Sequence, residues 1–400
     1  MAPIKIAIIG AGARTIAFCK FLADNPCIAK LIVIADINIK KAIALNTIFK
    51  LNADVVNDYH SIIGQKNIDA VIISTPDFAH VNPAVAALKA HKHVYLEKPL
   101  ATTLQDCDTI IEAARHSHSI CYLGFNLRHS PVHEKIYHLV RDGILGKITT
   151  IEANEWYYGG KTYFRRWNRL RKFGGGLWLT KACHDFDLIT WIAGGSPSSV
   201  YATSNLSHYK PIKDAGPRCR DCTFKDTCPD YYDINQPLGH WFDEAWRQIQ
   251  LKMDQPGQLS TDICLYNSVK DTFDNGIAVI NYDNDVRATY TVNVLAAKTT
   301  RQIQIIGTKS MAEGDMETGV IHITQRHSAK TESIDLKEHL TGTHGGADEK
   351  ILTDFFNICA NGGKPRSGLD DGRLAVQMSL AATLSDDENK IVAINETNHA

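Results

Sequence analysis

The residue types best suited to moving protons lie in two short segments. Glu97-Lys98-Pro99 follows an apolar run, His93 to Leu96, and Lys181, His184 and Asp187 follow the triple glycine Gly174-Gly175-Gly176. A lysine held partly out of water can have its pKa lowered into the range of a general acid or base. Histidine titrates near neutral pH without such help. Steps of three place Lys181, His184 and Asp187 along one face of a predicted helix, with Phe186, Leu188, Ile189 and Ile192 as its buried side. A solvated lysine paired with Glu97, or a solvated polar stripe, has the same spacing, so the surroundings must decide.

Two further groups of residues suggest ligands. Ile4 to Ile9 runs into Gly10-Ala11-Gly12-Ala13-Arg14-Thr15 and then a helical pattern. A strand, a glycine turn and a helix N-terminus in that order suit a dinucleotide pyrophosphate: Gly10 permits the turn and Gly12 lets the backbone approach the phosphates. Thr15 stands at the third glycine position. Asp36, at the end of the next apolar run, suits the ribose hydroxyls and would repel a 2′-phosphate, which favours NAD over NADP. Arg14, Lys40 and Lys41 keep NADP open, and a strand–helix turn that binds nothing is the plain alternative. Cys219, Cys222 and Cys228 give three thiols at metal-like spacing, with Cys264, His208 or His240 as candidate fourth ligands for a structural zinc. An iron–sulfur centre, free thiols and disulfides are the other readings.

The elements around these residues fall into two textures. Short apolar runs at 4–9, 31–35, 70–74, 93–96 and 120–124 alternate with helix-period stretches at 15–24, 39–51, 81–90 and 104–116. This is the pattern of a doubly wound α/β unit with a parallel sheet buried on both faces. Ligands of such sheets bind beyond the carboxyl ends of the strands, where the loops Ser74 to His80 and Glu97-Lys98-Pro99 both lie. After a helix at 131–142, alternating runs at 148–158, 200–207, 276–282, 288–294 and 301–306 predict a sheet with one covered face. Residues 209–257 read as a long irregular insertion, and helices return at 348–360 and 371–386. The expected division is 1–125 and 126–400.

Composition narrows the function. The 43 basic and 44 acidic residues give a formal charge of -1, which offers no support for a nucleic-acid or anionic-membrane partner. No apolar stretch is long enough to span a bilayer, and residues 1–9 lack the form of a signal peptide, so a soluble cytoplasmic protein is expected. Ten cysteines in 400 residues are too few for a disulfide scaffold.

In order along the chain, Gly10-Ala-Gly-Ala-Arg14, Asp36, Thr75-Pro-Asp-Phe-Ala-His80, Glu97-Lys98-Pro99, Gly174-Gly-Gly with His184 and Asp187, and His344-Gly-Gly-Ala-Asp348 resemble the Gfo/Idh/MocA oxidoreductases. The resemblance implies an N-terminal Rossmann domain and a C-terminal α/β domain. The second domain's large, open, mostly antiparallel sheet often mediates homodimer or homotetramer contacts. It implies NAD or NADP as cofactor, with contacts from Gly10, Gly12, Ala13, Arg14, Asp36, Thr75, Pro76, His80, Glu97 and Lys98. It also implies a sugar, polyol or sugar derivative oxidised at a carbinol carbon, with Lys98 near the reacting hydroxyl and His184 exchanging its proton. Many members carry an Asp where this chain has Thr180, so Lys181 and Asp187 are the candidates to orient substrate or imidazole. Trp156, Tyr157, Tyr158, Tyr163 and Trp167 are candidates to stack on a sugar ring or to pack an interface. An NAD-dependent glycosidase working by transient oxidation and elimination is a second reading, and a non-catalytic dinucleotide sensor a third.

Overall fold

The computed structural model describes residues 2–253 and 261–399. The N-terminal part alternates strand and helix: β1 (Ile4–Ile9), α1 (Thr15–Asp24), β2 (Ala29–Ala35), α2 (Ile39–Phe49), β3 (Asp54–Val56), α3 (His60–Ile63), β4 (Ala70–Ile73), α4 (Val81–Lys89), β5 (His93–Leu96), α5 (Leu104–Arg115) and β6 (Cys121–Leu123). The strands form one parallel sheet in the order β3-β2-β1-β4-β5-β6. The order reverses beside β1, so the loops after β1, β4 and β5 open side by side at the carboxyl edge, where such sheets bind ligands. β1 and β4 need no polar alternation because helices cover both faces, and every residue of β4 is buried. The three-residue β3 carries too little pattern to be read from sequence.

The chain continues through α6 (Pro131–Arg141), β7 (Ile148–Tyr158), α7 (Gly160–Tyr163), α8 (Arg171–Gly174), α9 (Leu177–Thr180), α10 (Cys183–Ala193), β8 (Pro197–Asn205) and α11 (Trp241–Met253). It then forms β9 (Asn275–Tyr282), β10 (Arg287–Asn293), β11 (Leu295–Thr300), β12 (Gln302–Gly307), β13 (Ser310–Asp315), β14 (Val320–Gln325) and β15 (Thr331–Asp335). The last elements are α12 (Ala347–Asn361), α13 (Leu369–Glu388) and β16 (Val392–Ala393). The second sheet runs β15-β14-β13-β12-β7-β10-β9-β8-β16, with β11 beside β7. Its pairings are antiparallel except β10 with β7. One face packs on α10 and α13 through residues such as Ile151, Tyr290 and Ile303; the other presents Ile277, Val279 and Ile306 to solvent.

Three features depart from the sequence expectation. β13 to β15 extend the sheet past residue 306, where β15 is mostly exposed and shows little apolar alternation. The insertion is not wholly irregular, because α11 docks Ala245 and Ile249 into the core beside α1 and α2. Its residues 254–257 lie outside the described residues. Finally, α12 and α13 return to the first sheet: Ile351, Leu352, Phe355 and Phe356 join one side of its core, and Ala375 and Val376 the other. Each large apolar side chain buried in this way contributes roughly 1.5–3 kcal/mol. The cleft between the two parts is the region where Lys98, beyond β5, meets Thr180 at the end of α9.

Candidate active site

The glycine turn has the form its sequence requires. Gly10 has φ +99°, and a Cβ there would stand 2.5 Å from the Ser74 carbonyl oxygen, so only glycine fits. At Gly12 the nearest atom to such a Cβ would be 3.8 Å away, leaving room on the ligand side. Thr15 does not obstruct the helix start: its buried hydroxyl donates to the Gly10 carbonyl at 2.8 Å and lies 3.1 Å from Ser74 Oγ. Asp36 accepts the Ala11 N–H at 2.7 Å and the Asn38 N–H at 2.8 Å. The N–H groups of Gly12 and Ala13 have no partner among the described residues. Two free donors at a helix N-terminus, beside a carboxylate at the end of β2, fit a dinucleotide's pyrophosphate and ribose.

Arg14 behaves differently from a phosphate ligand. Its Nε donates to Glu97 at 2.7 Å, and its two terminal nitrogens grip Asp348 at 2.7 and 2.5 Å. Asp348 also accepts from Asn126 at 2.6 Å, from Thr343, and lies 2.8 Å from His344 Nδ1. Burial alone would raise this carboxyl's pKa, but Arg14 and His344 hold it well below the usual range. The network ties three chain segments together: the cofactor loop, the lysine loop and the start of α12. It depends on the Gly345 and Gly346 turn, where three successive residues from His344 have positive φ. His344 keeps an exposed ring at the cleft.

Lys98 and His184 stand on opposite walls. Lys98 follows β5 and donates to the Thr180 carbonyl at 2.7 Å, linking the Rossmann side to the end of α9. Asp77 is buried beside it; burial pushes its pKa up to about 7 against the pull of Lys98 and the Thr180 hydroxyl. His184 occupies the first turn of α10, buried, with Nδ1 unpartnered. Burial, then the cations Lys98, Lys181, His344 and Arg14, hold its pKa well below the ordinary imidazole value. At neutral pH it is therefore an uncharged imidazole, able to accept a proton. Phe78 leaves the loop after β4 to meet Trp167 and Phe173, with ring centroids 6.3 and 5.2 Å away, closing one side of the cleft.

Several candidates occupy other places. α9 ends at Thr180 and α10 begins at Cys183, so Lys181 lies in a break and does not share a continuous helical stripe with His184 and Asp187. Lys181 pairs with Glu155 at 2.6 Å and lies 4.5 Å from the Tyr157 ring centre. Asp187 is bound by Arg128 at 2.8 and 2.5 Å, so its carboxylate serves that buried pair and not the imidazole. His80 is fully buried with its ring nitrogens 2.8 and 3.2 Å from the Pro99 and Thr75 carbonyls, clamping two loops from behind. Glu97 is taken by Arg14, while Thr75 and Pro76 are half-buried beside the glycine turn. Among the aromatics, Tyr157 lies beneath Lys181 and Tyr158 donates to Asp230.

The cysteine cluster does not fit a metal. Among the described residues no group of three or more His, Cys, Asp or Glu side chains is arranged to hold one, and Cys219, Cys222, Cys228 and Cys264 are free thiols. Structural zinc is therefore not supported. Other contacts hold the insertion. Arg220 grips Asp262 at 2.8 and 2.9 Å, Arg165 donates to the Asp230 carbonyl at 2.9 Å, and Tyr266 donates to Asp230 at 2.5 Å. Cys264 and Cys228 pack with Phe164, Tyr209 and Tyr266 as small apolar side chains. His208 lies 3.2 Å from the Tyr266 hydroxyl, and His240 is exposed near Asp243.

Sequence reading missed a buried charge cluster under the cleft. Arg301 meets Glu155, the partner of Lys181, and lies 3.5 Å from Asp185, which accepts from Tyr290 at 2.8 Å. Burial pushes Asp185 up to about 7. The available signal was the unusual placement of charged residues in otherwise apolar strand and helix faces.

Residues 4–125 match the model of the NAD-binding Rossmann fold of the Gfo/Idh/MocA oxidoreductase family, and residues 138–394 that family's C-terminal alpha/beta domain. The chain belongs to this family and is an oxidoreductase. It is 31% identical over 318 residues to a Bacillus subtilis protein named as the oxidoreductase YteT, covering 72% of each chain. It is 31% identical over 161 residues to the myo-inositol 2-dehydrogenase of Thermotoga maritima, covering 40% of this chain and 46% of that protein. The fold is shared with a levoglucosan dehydrogenase solved in complex with NADH and levoglucosan, with a TM-score of 0.74 at 18% identity over 98% of this chain and 99% of that one. Among the described residues no helix is long and apolar enough to cross a membrane.

Proposed function

We propose that this chain is an NAD-dependent dehydrogenase that oxidises a carbinol carbon of a sugar, polyol or sugar derivative, with Lys98 and His184 handling the hydroxyl proton. The observation that carries the reading is the meeting of an amine and an uncharged imidazole across one cleft beside a glycine turn with free N–H donors. Gly12, Ala13 and Asp36 would hold the dinucleotide, whose nicotinamide supplies the hydride acceptor when bound. Lys98 donates a hydrogen bond to the substrate oxygen and steadies negative charge there as the C–H bond breaks. His184 accepts the hydroxyl proton. Such acid–base help is typically worth 10²–10⁴-fold, and positioning supplies much of the remaining acceleration.

Two observations favour NAD over NADP. Asp36 stands at the end of β2, and Arg14 is committed to Glu97 and Asp348 instead of being free for a 2′-phosphate. The open sheet face with Ile277, Val279 and Ile306 suits a second copy of the chain, giving a homodimer or homotetramer. A panel of sugars and cyclitols, followed by NADH and NADPH absorbance, tests the reading. Net NADH formation from at least one carbinol substrate supports it. Conversion of a glycoside without net NADH would replace it with the redox-neutral elimination, and tight NAD binding without any turnover would favour a sensor.

A further inference from the structure

The charged groups around the cleft are unevenly paired. The charged neighbours with the largest influence on the buried His184 are Lys98, Lys181, His344 and Arg14. Arg14 has Glu97 and shares Asp348 with His344, while Lys181 shares Glu155 with Arg301. Lys98 has no ion-pair partner among the described residues; its near acid is the buried Asp77.

Arg166 makes the imbalance specific. It lies next to Trp167, which meets Phe78 of the loop after β4. Its guanidinium stacks on Trp246 of α11 at 5.0 Å, and its side chain has no hydrogen bond or ion pair among the described residues. Asp243 is within electrostatic reach but outside ion-pair distance. Burial is the largest influence on Arg166 and disfavours its charge. Tyr157 bridges towards the reacting end: Lys181 lies over its ring, and its buried hydroxyl is within electrostatic reach of Arg166. A half-buried guanidinium fixed on an aromatic face, with its nitrogens unused, suits a planar anion.

We propose that the substrate is a sugar acid whose carboxylate is received by Arg166 on the Lys181–Tyr157 side of the cleft. This rests on the reading of the cleft as the site of carbinol oxidation and names the substrate class within it. It also gives the cysteine-bearing insertion a task. α11, anchored on the Rossmann core through Ala245 and Ile249, carries Trp246, which holds the guanidinium in place.

The test separates binding from turnover. With NADH-loaded protein, calorimetry compares galactose with galacturonate, glucose with glucuronate, and glucose 6-phosphate, in wild type, Arg166→Gln and Arg166→Lys. The expected result is tighter binding of at least one acid than of its neutral partner. Arg166→Gln should weaken that acid roughly 10- to 100-fold while leaving the neutral sugar and NADH unchanged, as expected for loss of charge-assisted hydrogen bonds in a half-buried site. Arg166→Lys should restore part of the loss, and circular dichroism checks that both variants fold. Equal affinity for acid and neutral partners, a preference for the phosphate, or an Arg166→Gln protein with undiminished preference for the acid would overturn the assignment. NADH formation in the same panel is read separately: its absence counts against the redox reading, whereas equal affinities count against this one.

Discussion

The cleft and the cysteine-bearing insertion both carry reactive residue types, yet they differ in the polar groups they leave unpaired. In the insertion, charged groups find partners: Arg220 with Asp262, Arg247 with Glu244, and Asp230 with Tyr158 and Tyr266. In and beneath the cleft, Asp77 Oδ2 and His184 Nδ1 are buried without hydrogen-bond partners among the described residues. A buried polar group left unpaired costs roughly 1–3 kcal/mol, so a cluster of them marks a place where stability yields to function. Residue type alone did not separate the two regions; the state of pairing does.

The largest effect that sharpens this comparison is on turnover. Lys98→Ala and His184→Ala should each lower kcat by about 10²–10⁴-fold while NAD binding, measured by calorimetry, stays intact. Near-normal turnover in both would remove the cleft's special status. Next comes stability. Asp348→Ala removes one of the two carboxylates on Arg14 and leaves Asn126 and Thr343 without this acceptor, so unfolding should become easier by about 1–3 kcal/mol in denaturant titration. A change below 1 kcal/mol would show that the network does not hold the segments together.

A smaller effect is expected on pH. Because burial and neighbouring cations depress His184, its proton-accepting form persists as pH falls through the ordinary imidazole range. The His184-dependent loss of kcat/KM should therefore begin well below pH 6.5, the ordinary value. Asp77 and Asp185, both pushed up to about 7, ionise nearer neutrality. A limb near pH 7 that vanishes in Asp77→Asn or Asp185→Asn belongs to them; one that survives both would contradict the depressed imidazole. The smallest effect is in the insertion. Cys222→Ser and Cys228→Ser should change stability by less than about 1 kcal/mol, as for half-exposed thiols outside a metal site. Stoichiometric metal in the purified protein, lost in Cys222→Ser, would reverse that reading.

Much of the cofactor end was legible because its logic is local. Gly10, Gly12 and Asp36 follow their strands directly, and the parallel sheet was evident in buried runs such as 4–9 and 70–73. The candidate catalytic wall was legible only in part. His184 and Lys98 stood out by type, but helical spacing wrongly carried Lys181 into the stripe of His184 and Asp187, and Asp187 proved to be bound by Arg128. The break between α9 and α10, and the claim of Arg128 on Asp187, depend on contacts from distant segments. The same holds for Glu155 with Arg301 and for Arg14 with Asp348, whose partners lie far apart in sequence. α11 was lost inside a polar insertion because its apolar face makes sense only against α1 and α2.

The decisive measurement is a crystal structure of the protein with NADH and a bound sugar acid. The dinucleotide is expected along the Gly10–Arg14 turn, with a substrate carbinol facing the nicotinamide and its oxygen within hydrogen-bond reach of Lys98 and His184. A dinucleotide seated elsewhere, or those two side chains turned away from the substrate oxygen, would contradict it.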